Sequence, residues 1–305
     1  MNTGSSENRK PILVTGSHRS GTTWIGKMLS INEEIAYIHE PFNIKYGVVR
    51  ELFDNWFQYI SEENAAVHSS KITKLLQYKY PLRQQLKQAP FLPSIGNKLV
   101  FGMHKLRHRR PLIKDPLAIL SCEWLQKTYN MDVLITVRHP AAFYSSLKVK
   151  NWNFDFNNLS NQTHALNTIL SPYSELIVQY SKNPPNLIDQ SILIWNIIHS
   201  LINKWKIKHH DWVIIRHEDI SRDPLNTFKS LYKNFNLDFN QTVRKNILST
   251  SGSHNPSEQT PGKEFTRNSK ANIFNWKKRL SESEIKNIRD KTEETATKFY
   301  SKSDW

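Results

Sequence analysis

The chain is short of cysteine, of glycine and of acidic residues, and each shortage excludes a class of protein. Its 305 residues include a single cysteine, Cys122, so no internal disulfide can form and a cysteine-rich zinc site is excluded. A reducing compartment is the natural inference. With 9 glycines and 14 prolines, the composition is not that of a low-complexity or disordered chain.

Long hydrophobic runs are also lacking. The longest apolar stretch, residues 192–202, contains asparagine, histidine and serine and is far shorter than the roughly 20 residues of a membrane span. Residues 1–10 are polar and have no apolar core of the kind that a secretory signal needs. We therefore expect residues 1–10 to form a flexible polar tail and the protein to be cytoplasmic.

Acidic residues are outnumbered by basic ones, 27 against 42, which gives a formal net charge of +15. This balance favours an anionic partner such as nucleic acid, anionic lipid, an acidic polysaccharide or a phosphorylated cofactor, and a solvated basic surface is the alternative. Hydrophobic residues make up 38% of the chain, enough for a sizeable core. Without a repeat or linker to divide it, we predict one domain over residues 11–305.

Short apolar runs alternate with helical patterns along the chain. The runs are at residues 12–14, 35–38, 111–113, 132–137 and 212–216. The main helical patterns cover residues 117–129, 163–180, 187–206, 227–235 and 282–300. This alternation predicts an α/β fold with a central parallel sheet and helices on both faces. Residues 44–99 have near-helical apolar spacing and then turn basic and aromatic, which predicts a helical insertion or lid.

A two-glycine loop joins the first predicted strand to the first predicted helix. Gly16 and Gly21 lie five positions apart, as in the phosphate-binding pattern G-x-x-x-x-G-K-S/T. Such a loop offers backbone N–H groups to an anion at the positive end of a helix. A threonine stands where that pattern has lysine, and Arg19 lies inside the loop, where it can reach a bridging or departing oxygen. An ordinary glycine turn is the alternative.

The run from Arg19 to Trp24 closely resembles the 5′-phosphosulfate loop of the sulfotransferases, which use 3′-phosphoadenosine 5′-phosphosulfate as sulfonate donor. A second match is Arg138 followed eight positions later by Ser146, which resembles the 3′-phosphate signature of that family. The resemblance is closer to carbohydrate-type and bacterial members, and it implies a three-layer P-loop NTPase-like fold, this donor as cosubstrate, and no metal. The donor-binding residues that it implies are Ser17, His18, Arg19, Ser20, Gly21, Thr22, Thr23, Trp24, Arg138, Ser146, His217 and Arg267.

Two of these residues rest on weaker matches. His217 begins the run His217-Glu218-Asp219, which resembles the family's segment before the helix that shapes the adenine pocket, where many members have tyrosine. A helix cap by Asp219 is the alternative for that neighbourhood. Arg267 and, less strongly, Lys270 precede Trp276-Lys277 and resemble a basic segment that closes over the 3′-phosphate.

Sulfonate transfer needs a base for the acceptor and cations for the transferring group. Carbohydrate-type members often place a glutamate after the second strand, which implies Glu40 as the base, with His39 beside it. After the third strand, Lys114 is implied to stabilise the transferring group, and Asp115 is the reserve base. The predicted catalytic residues are therefore Arg19, Glu40, Lys114 and Asp115.

We therefore expect transfer of a sulfonate to a hydroxyl of a carbohydrate or glycolipid, since aromatic residues of the lid can stack on sugars. Peripheral contact with an anionic membrane surface is compatible with the charge, and no nucleic-acid partner is expected. One rival is a P-loop kinase of a nucleotide or small molecule, which would need a lysine after Gly21 and a magnesium-binding acid. The other is a basic nucleic-acid-binding protein, which would leave the placement of Arg138 and Ser146 unexplained.

Overall fold

A five-stranded parallel sheet organises the chain. The computed structural model describes residues 9–49, 52–79, 102–258 and 266–305. The strands are β1 (Ile12–Gly16), β2 (Ile35–His39), β3 (Arg110–Lys114), β4 (Asp132–Val137) and β5 (Val213–Arg216). They lie in the order β2-β3-β1-β4-β5, and every neighbouring pair is parallel. The predicted parallel sheet is confirmed.

Helices cover both faces of this sheet. The helices whose two ends both lie in the described residues are α1 (Thr22–Leu29), α2 (Ala65–Leu76), α3 (Cys122–Tyr129), α4 (Pro140–Lys150), α5 (Asn157–Ser160), α6 (Thr163–Asn167), α7 (Ser174–Lys182), α8 (Leu187–Lys208), α9 (His217–Arg222), α10 (Pro224–Asn234), α11 (Gln241–Ser251), α12 (Ser269–Asn272), α13 (Trp276–Arg279) and α14 (Glu282–Ala296). Ile12 and Val14 pack with α1, α10 and α11, whereas Leu13 faces the core that contains α8. This alternation along β1 is the period of two expected of a strand buried on both faces, and it makes the fold three-layered.

The first part of the predicted insertion, residues 44–64, is not helical where the structure describes it. Its backbone N–H groups are bound by side chains that are distant in sequence. Trp56 N donates to Asn158 Oδ1 at 2.9 Å, and Tyr59 N donates to Gln162 Oε1 at 2.7 Å. These acceptors replace the i−4 carbonyls of a helix, so the apolar residues are buried in turns instead.

The helices differ from the prediction in three further places. The helix predicted over residues 117–129 begins at Cys122, after a 3₁₀ turn over Pro116–Ser121. The helix predicted over residues 163–180 is interrupted between α6 and α7, where Ser171–Tyr173 forms a 3₁₀ turn; Pro172 in that turn has no N–H to continue an α-helix. Helix α11 was not predicted; Asn240 caps it by accepting a hydrogen bond from Val243 N at 3.1 Å.

Parts of two predictions lie outside the described residues. They are most of the polar tail and the later part of the insertion, with Arg83 and the prolines at 81, 90 and 93. None of the helices that the structure does describe has both the length and the apolar character required to cross a bilayer.

Candidate functional site

The two-glycine loop follows β1 and approaches both β4 and the residue after β5. Gly16 has φ +143°, and a Cβ there would approach the backbone oxygen of Thr136 in β4 to 2.3 Å. Gly21 has φ +87°, and a Cβ there would lie 2.6 Å from Nδ1 of His217, the residue after β5. Glycine is therefore required at both positions, because any side chain would collide and the backbone favours left-handed conformations. Arg19 also has a positive φ of 64°.

The loop is fixed from within by hydroxyl groups. Ser20 Oγ hydrogen-bonds to the backbone oxygen of Ser17 and to Oγ1 of Thr136, and all three residues are fully buried. Gly21 caps α1 without a side chain, so no side chain of the cap competes for the first N–H groups of the helix. The loop therefore presents a rigid helix N-terminus of the kind that binds phosphate.

The predicted 3′-phosphate pair lies directly beside this loop. Arg19 Nε donates a hydrogen bond to Ser146 Oγ at 3.0 Å, and Arg138 Nη1 donates one to the backbone oxygen of Arg19. Arg138 Nε is buried and has no hydrogen-bond partner among the described residues. An unsatisfied buried donor of this kind suits an anionic ligand.

Arg138 keeps its charge despite burial. Burial lowers the pKa of Arg138 to about 10, with Glu218 opposing the change and Arg19 adding to it. The guanidinium is therefore cationic at neutral pH, at the same end of the sheet as the loop.

On the other side of the loop, Glu40 and Lys114 form a buried ion pair. Their side chains are 16% and 0% exposed, and Lys114 Nζ also donates to Thr23 Oγ1 of α1 at 3.0 Å. Asn43 Nδ2 donates to the second oxygen of Glu40 at 2.8 Å. Glu40 has φ +43°, and a non-glycine residue in this conformation is a common feature of functional sites.

Opposing effects act on the pKa values of this pair. Burial raises the pKa of Glu40, but the charge and hydrogen bond of Lys114, with the Asn43 bond, outweigh it and hold that pKa below its ordinary value. Burial lowers the pKa of Lys114, and Glu40 opposes that change. We assign the ionised pair, because Thr23 and Asn43 add hydrogen bonds to both charged groups.

Asp115 and His39 flank this pair. Asp115 is fully buried, and its two oxygens accept the N–H groups of Phe42 at 2.5 Å and Leu117 at 2.8 Å. Burial, then the charge of Glu40, raises the pKa of Asp115 to about 8. His39 Nδ1 lies 3.3 Å from the hydroxyl of Tyr37, and burial, with Lys114, lowers the pKa of His39. Both oxygens of Asp115 are thus occupied by backbone N–H groups, and Glu40 is the more accessible carboxylate.

An aromatic cluster adjoins the loop at His18. The His18 ring packs edge-on against Phe143 at 4.8 Å, Trp152 at 5.2 Å and Phe57 at 5.8 Å between centroids. Burial, then the charge of Arg19, lowers the pKa of His18 to about 3, and Glu40 opposes this. His18 is therefore a neutral ring that lies within electrostatic reach of both the loop arginine and the predicted base.

The remaining predicted residues are more scattered. Trp24 packs edge-on against Phe228 at 5.2 Å and donates to Thr250 Oγ1 at 3.3 Å, so it anchors α1 to α10 and α11. The charge of Arg267, like that of Arg138, lowers the pKa of His217, although burial is the main cause of its fall to about 3. The structure thus places His217 and Arg267 within electrostatic reach of Arg138. Lys270 is exposed.

Three contacts in the site were missed from the sequence. Thr136 is a polar residue near the end of an apolar strand, which is the signal that it bonds to something buried. Asn43 follows Glu40 by three residues in a turn, a spacing suited to a local side-chain hydrogen bond. Glu218 accepts hydrogen bonds from residues distant in sequence and leaves no local signal. Among the described residues, no group of three or more histidine, cysteine or acidic side chains could hold a metal ion.

Comparison with known proteins identifies related molecules. Residues 11–241 match the family model described as Sulfotransferase family. The fold is similar to the sulfotransferase domain from the curacin biosynthetic pathway, at 14% identity and a TM-score of 0.50 over 93% of this chain and 97% of that one. It also matches mouse sulfotransferase SULT7A1 complexed with PAP, at 12% identity and a TM-score of 0.47 over 98% and 87%. No curated protein sequence matches the chain.

Proposed function

Because the chain belongs to the sulfotransferase family, we propose that it transfers a sulfonate group from 3′-phosphoadenosine 5′-phosphosulfate to an acceptor hydroxyl, with Glu40 as general base. The observation that carries the proposal is the position of Arg19, which bonds to Ser146 and accepts a bond from Arg138 at its backbone oxygen. The phosphate loop and the second anion site are therefore neighbours, as one nucleotide with two anionic ends requires.

The residues at these two sites fit such a donor. The loop offers a helix N-terminus with no acidic residue in the first turn, and the Nε of Arg138 is buried without a partner among the described residues. When bound, the donor supplies a sulfonate on a phosphate leaving group. Binding at Ser146 would replace its present bond to Arg19, and Arg19 Nε could then donate to the departing phosphate.

On the acceptor side, Glu40 accepts the proton of the attacking hydroxyl as the acceptor oxygen bonds to sulfur and the sulfur–oxygen bond to phosphate breaks. Lys114 keeps Glu40 ionised until then, and its ammonium lies beside Thr23 in the first turn of α1, where it can stabilise charge on the transferring group. Asp115 is assigned a structural role, because both of its oxygens bind the backbone.

A carbohydrate or glycolipid acceptor is supported by the aromatic surface next to His18. Trp152 packs edge-on against Trp56 at 6.2 Å, and Lys45 Nζ lies 5.4 Å from the centroid of the Trp56 ring. Aromatic faces of this kind stack on sugar rings, and a lysine suits an acidic or phosphorylated glycan. Incubating labelled donor with fractionated cell-envelope glycans tests the acceptor class.

We also propose one domain over residues 11–305, in the cytoplasm and in contact with anionic membrane surfaces. Supporting membrane contact, Leu106 is 81% exposed and Met103 is 47% exposed, next to the exposed Lys105 and Arg107. Co-sedimentation with vesicles that contain phosphatidylglycerol, compared with neutral vesicles, tests this contact.

Isothermal titration calorimetry tests the donor site. We expect adenosine 3′,5′-bisphosphate to bind equally well with magnesium and with EDTA, and Arg138→Met to weaken its binding at least tenfold. Glu40→Gln should abolish turnover while this affinity stays within twofold of the wild type. ATP binding that depends on magnesium would instead support a kinase. Binding of nucleic acid, with neither nucleotide bound, would support a basic nucleic-acid-binding protein.

A further inference from the structure

Glu218 is a buried carboxylate that the proposed reaction does not use. It lies in the first turn of α9, directly after β5, and is 4% exposed. Its Oε1 accepts a hydrogen bond from the backbone N–H of His139 at 3.0 Å, and its Oε2 accepts one from the hydroxyl of Tyr300 at 3.0 Å. Burying an acid is unfavourable unless such bonds compensate, so this position calls for an explanation.

The bond to His139 acts on the peptide that follows Arg138. The N–H of this Arg138–His139 peptide is held by Glu218, and its carbonyl oxygen accepts a hydrogen bond from Trp195 Nε1 at 2.9 Å. Both polar groups of this peptide are therefore held by buried side chains, Glu218 at the start of α9 and Trp195 of α8. Fixing that peptide restricts the backbone at Arg138, and so the direction in which its guanidinium leaves β4.

Glu218 also acts on Arg138 through its charge. Burial lowers the pKa of Arg138, and among the opposing charges that of Glu218 has the largest effect. A cation at this depth is stabilised by an acid nearby. Burial raises the pKa of Glu218, and the bonds from His139 and Tyr300 and the charge of Arg138 oppose that change. The carboxylate accepts its hydrogen bonds from His139 and Tyr300 rather than from the guanidinium. The guanidinium then stays available for an external anion.

We propose that Glu218, held by Tyr300, is a positioning residue that orients Arg138 toward the 3′-phosphate of the bound nucleotide. This inference rests on the proposed function, because it requires the nucleotide to have a 3′-phosphate at Arg138. It assigns a role in ligand selection to a hydrogen bond between α9 and the residues after α14. Neither Glu218 nor Tyr300 touches the ligand.

The test compares two nucleotides that differ in the 3′-phosphate alone. Affinities for adenosine 3′,5′-bisphosphate and adenosine 5′-monophosphate are measured by calorimetry for each variant. Tyr300→Phe removes one donor from the carboxylate and should weaken bisphosphate binding about 3- to 10-fold, with monophosphate binding within twofold of the wild type. Glu218→Gln keeps the shape but removes the charge, and it should reduce the bisphosphate affinity at least tenfold.

A double-mutant cycle separates positioning from a general structural role. In the Arg138→Met background, Glu218→Gln should cause no further loss of bisphosphate affinity, because its effect passes through the arginine. Tyr144→Phe is the matched control, because the Tyr144 hydroxyl donates to Glu284 Oε1 at 2.9 Å, a carboxylate whose other hydrogen bonds come from Lys148 and Ser281. It should leave both affinities unchanged.

The outcomes distinguish this inference from the proposed function. If Arg138→Met leaves bisphosphate affinity unchanged, the donor site itself is wrong. If Arg138→Met weakens binding while Tyr300→Phe leaves the ratio of the two affinities as in the wild type, the positioning role is refuted. Equal losses for both nucleotides would show a structural role only. Tyr300→Phe decides the matter even if Glu218→Gln does not fold.

Discussion

Replacing Lys114 with methionine removes the cation from the buried pair and leaves the Glu40 carboxylate without its ion-pair partner. The side chain of Lys114 is 0% exposed and that of Glu40 is 16% exposed, so bulk water compensates little. Removing one partner of a buried pair typically lowers the free energy of unfolding by about 3 to 5 kcal/mol. We expect the lower part of this range at pH 7, because Asn43 still donates to Glu40 and methionine fills the volume of the lysine stem.

The same variant should shift the titration of Glu40. In the wild type its pKa lies below the ordinary value of 4.5, so its contribution to stability is present above pH 4.5 and is lost as the pH falls through the lowered pKa. Without Lys114, burial is the largest remaining effect and raises this pKa. The stability difference between variant and wild type should therefore shrink as the pH falls, first through the raised pKa of Glu40 in the variant and then, below 4.5, through its lowered pKa in the wild type. The acidic limb of kcat/KM should move to higher pH.

Urea unfolding at pH 7 and pH 4, with a pH profile of kcat/KM, measures both effects. Lys127→Met is the matched control: Lys127 pairs with Glu62 where both side chains are more than 70% exposed, so no measurable change is expected. A loss of stability equal at both pH values, together with an unmoved acidic limb, would refute the ionised pair and its role in holding the base.

Two other variants probe the residues that flank the pair and the loop. Gly21→Ala places a Cβ 2.6 Å from His217 Nδ1 in a backbone with φ +87°, so we expect a loss of about 1 to 3 kcal/mol in stability and weaker nucleotide binding; calorimetry showing wild-type affinity would contradict this. Asp115→Asn should retain turnover, unlike Glu40→Gln. Burial raises the pKa of Asp115 to about 8 from 3.8, so the unfolded chain ionises first and the stability of the wild type falls as the pH rises between these values. The melting temperature of Asp115→Asn should therefore rise relative to that of the wild type from pH 4 to pH 8.

The parts of the fold that the sequence predicts correctly are those determined by residues close together in the chain. Residues 132–137 are mainly apolar, with Val133, Leu134, Ile135 and Val137, and this local pattern is enough to predict a strand buried on both faces. Residues 44–64 have apolar spacing that suits a helix, but Asn158 and Gln162 take their N–H groups. Those acceptors lie about a hundred residues away, and no local pattern reveals them.

The candidate site divides in the same way. Glycine and arginine spacing predicts the loop, and the interval between Arg138 and Ser146 predicts the proposed second anion site, because each motif lies within one strand–helix junction. The contacts of Glu218 with His139 and Tyr300 join residues 79 and 82 positions apart. Such a contact depends on the packing of α9 against the end of β4, which composition and spacing do not determine.

The strand order explains why the predicted roles fall on separate strand ends. Because β1 lies between β3 and β4, its loop can meet Lys114 through Thr23 on one side and Arg138 through Arg19 on the other. Glu40 follows β2, beyond β3, and Glu218 follows β5, beyond β4. Because β2 and β5 are the two edge strands and neighbouring strands are about 4.8 Å apart, Glu40 and Glu218 lie at opposite edges of the sheet.

A nucleotide that spans β1 and β4 would direct its 3′-phosphate toward the Glu218 side and leave its 5′ end toward the Glu40 side. Changes at Glu218 should therefore alter binding of the 3′-phosphate, and changes at Glu40 should alter turnover, with little coupling between them because no contact of one is shared by the other. The double variant Glu40→Gln/Tyr300→Phe tests this separation: its bisphosphate affinity should equal that of Tyr300→Phe alone. A further loss of affinity would mean that Glu40 also acts on the bound bisphosphate. The assignment of Glu40 to the acceptor side and Glu218 to the donor side would then be refuted.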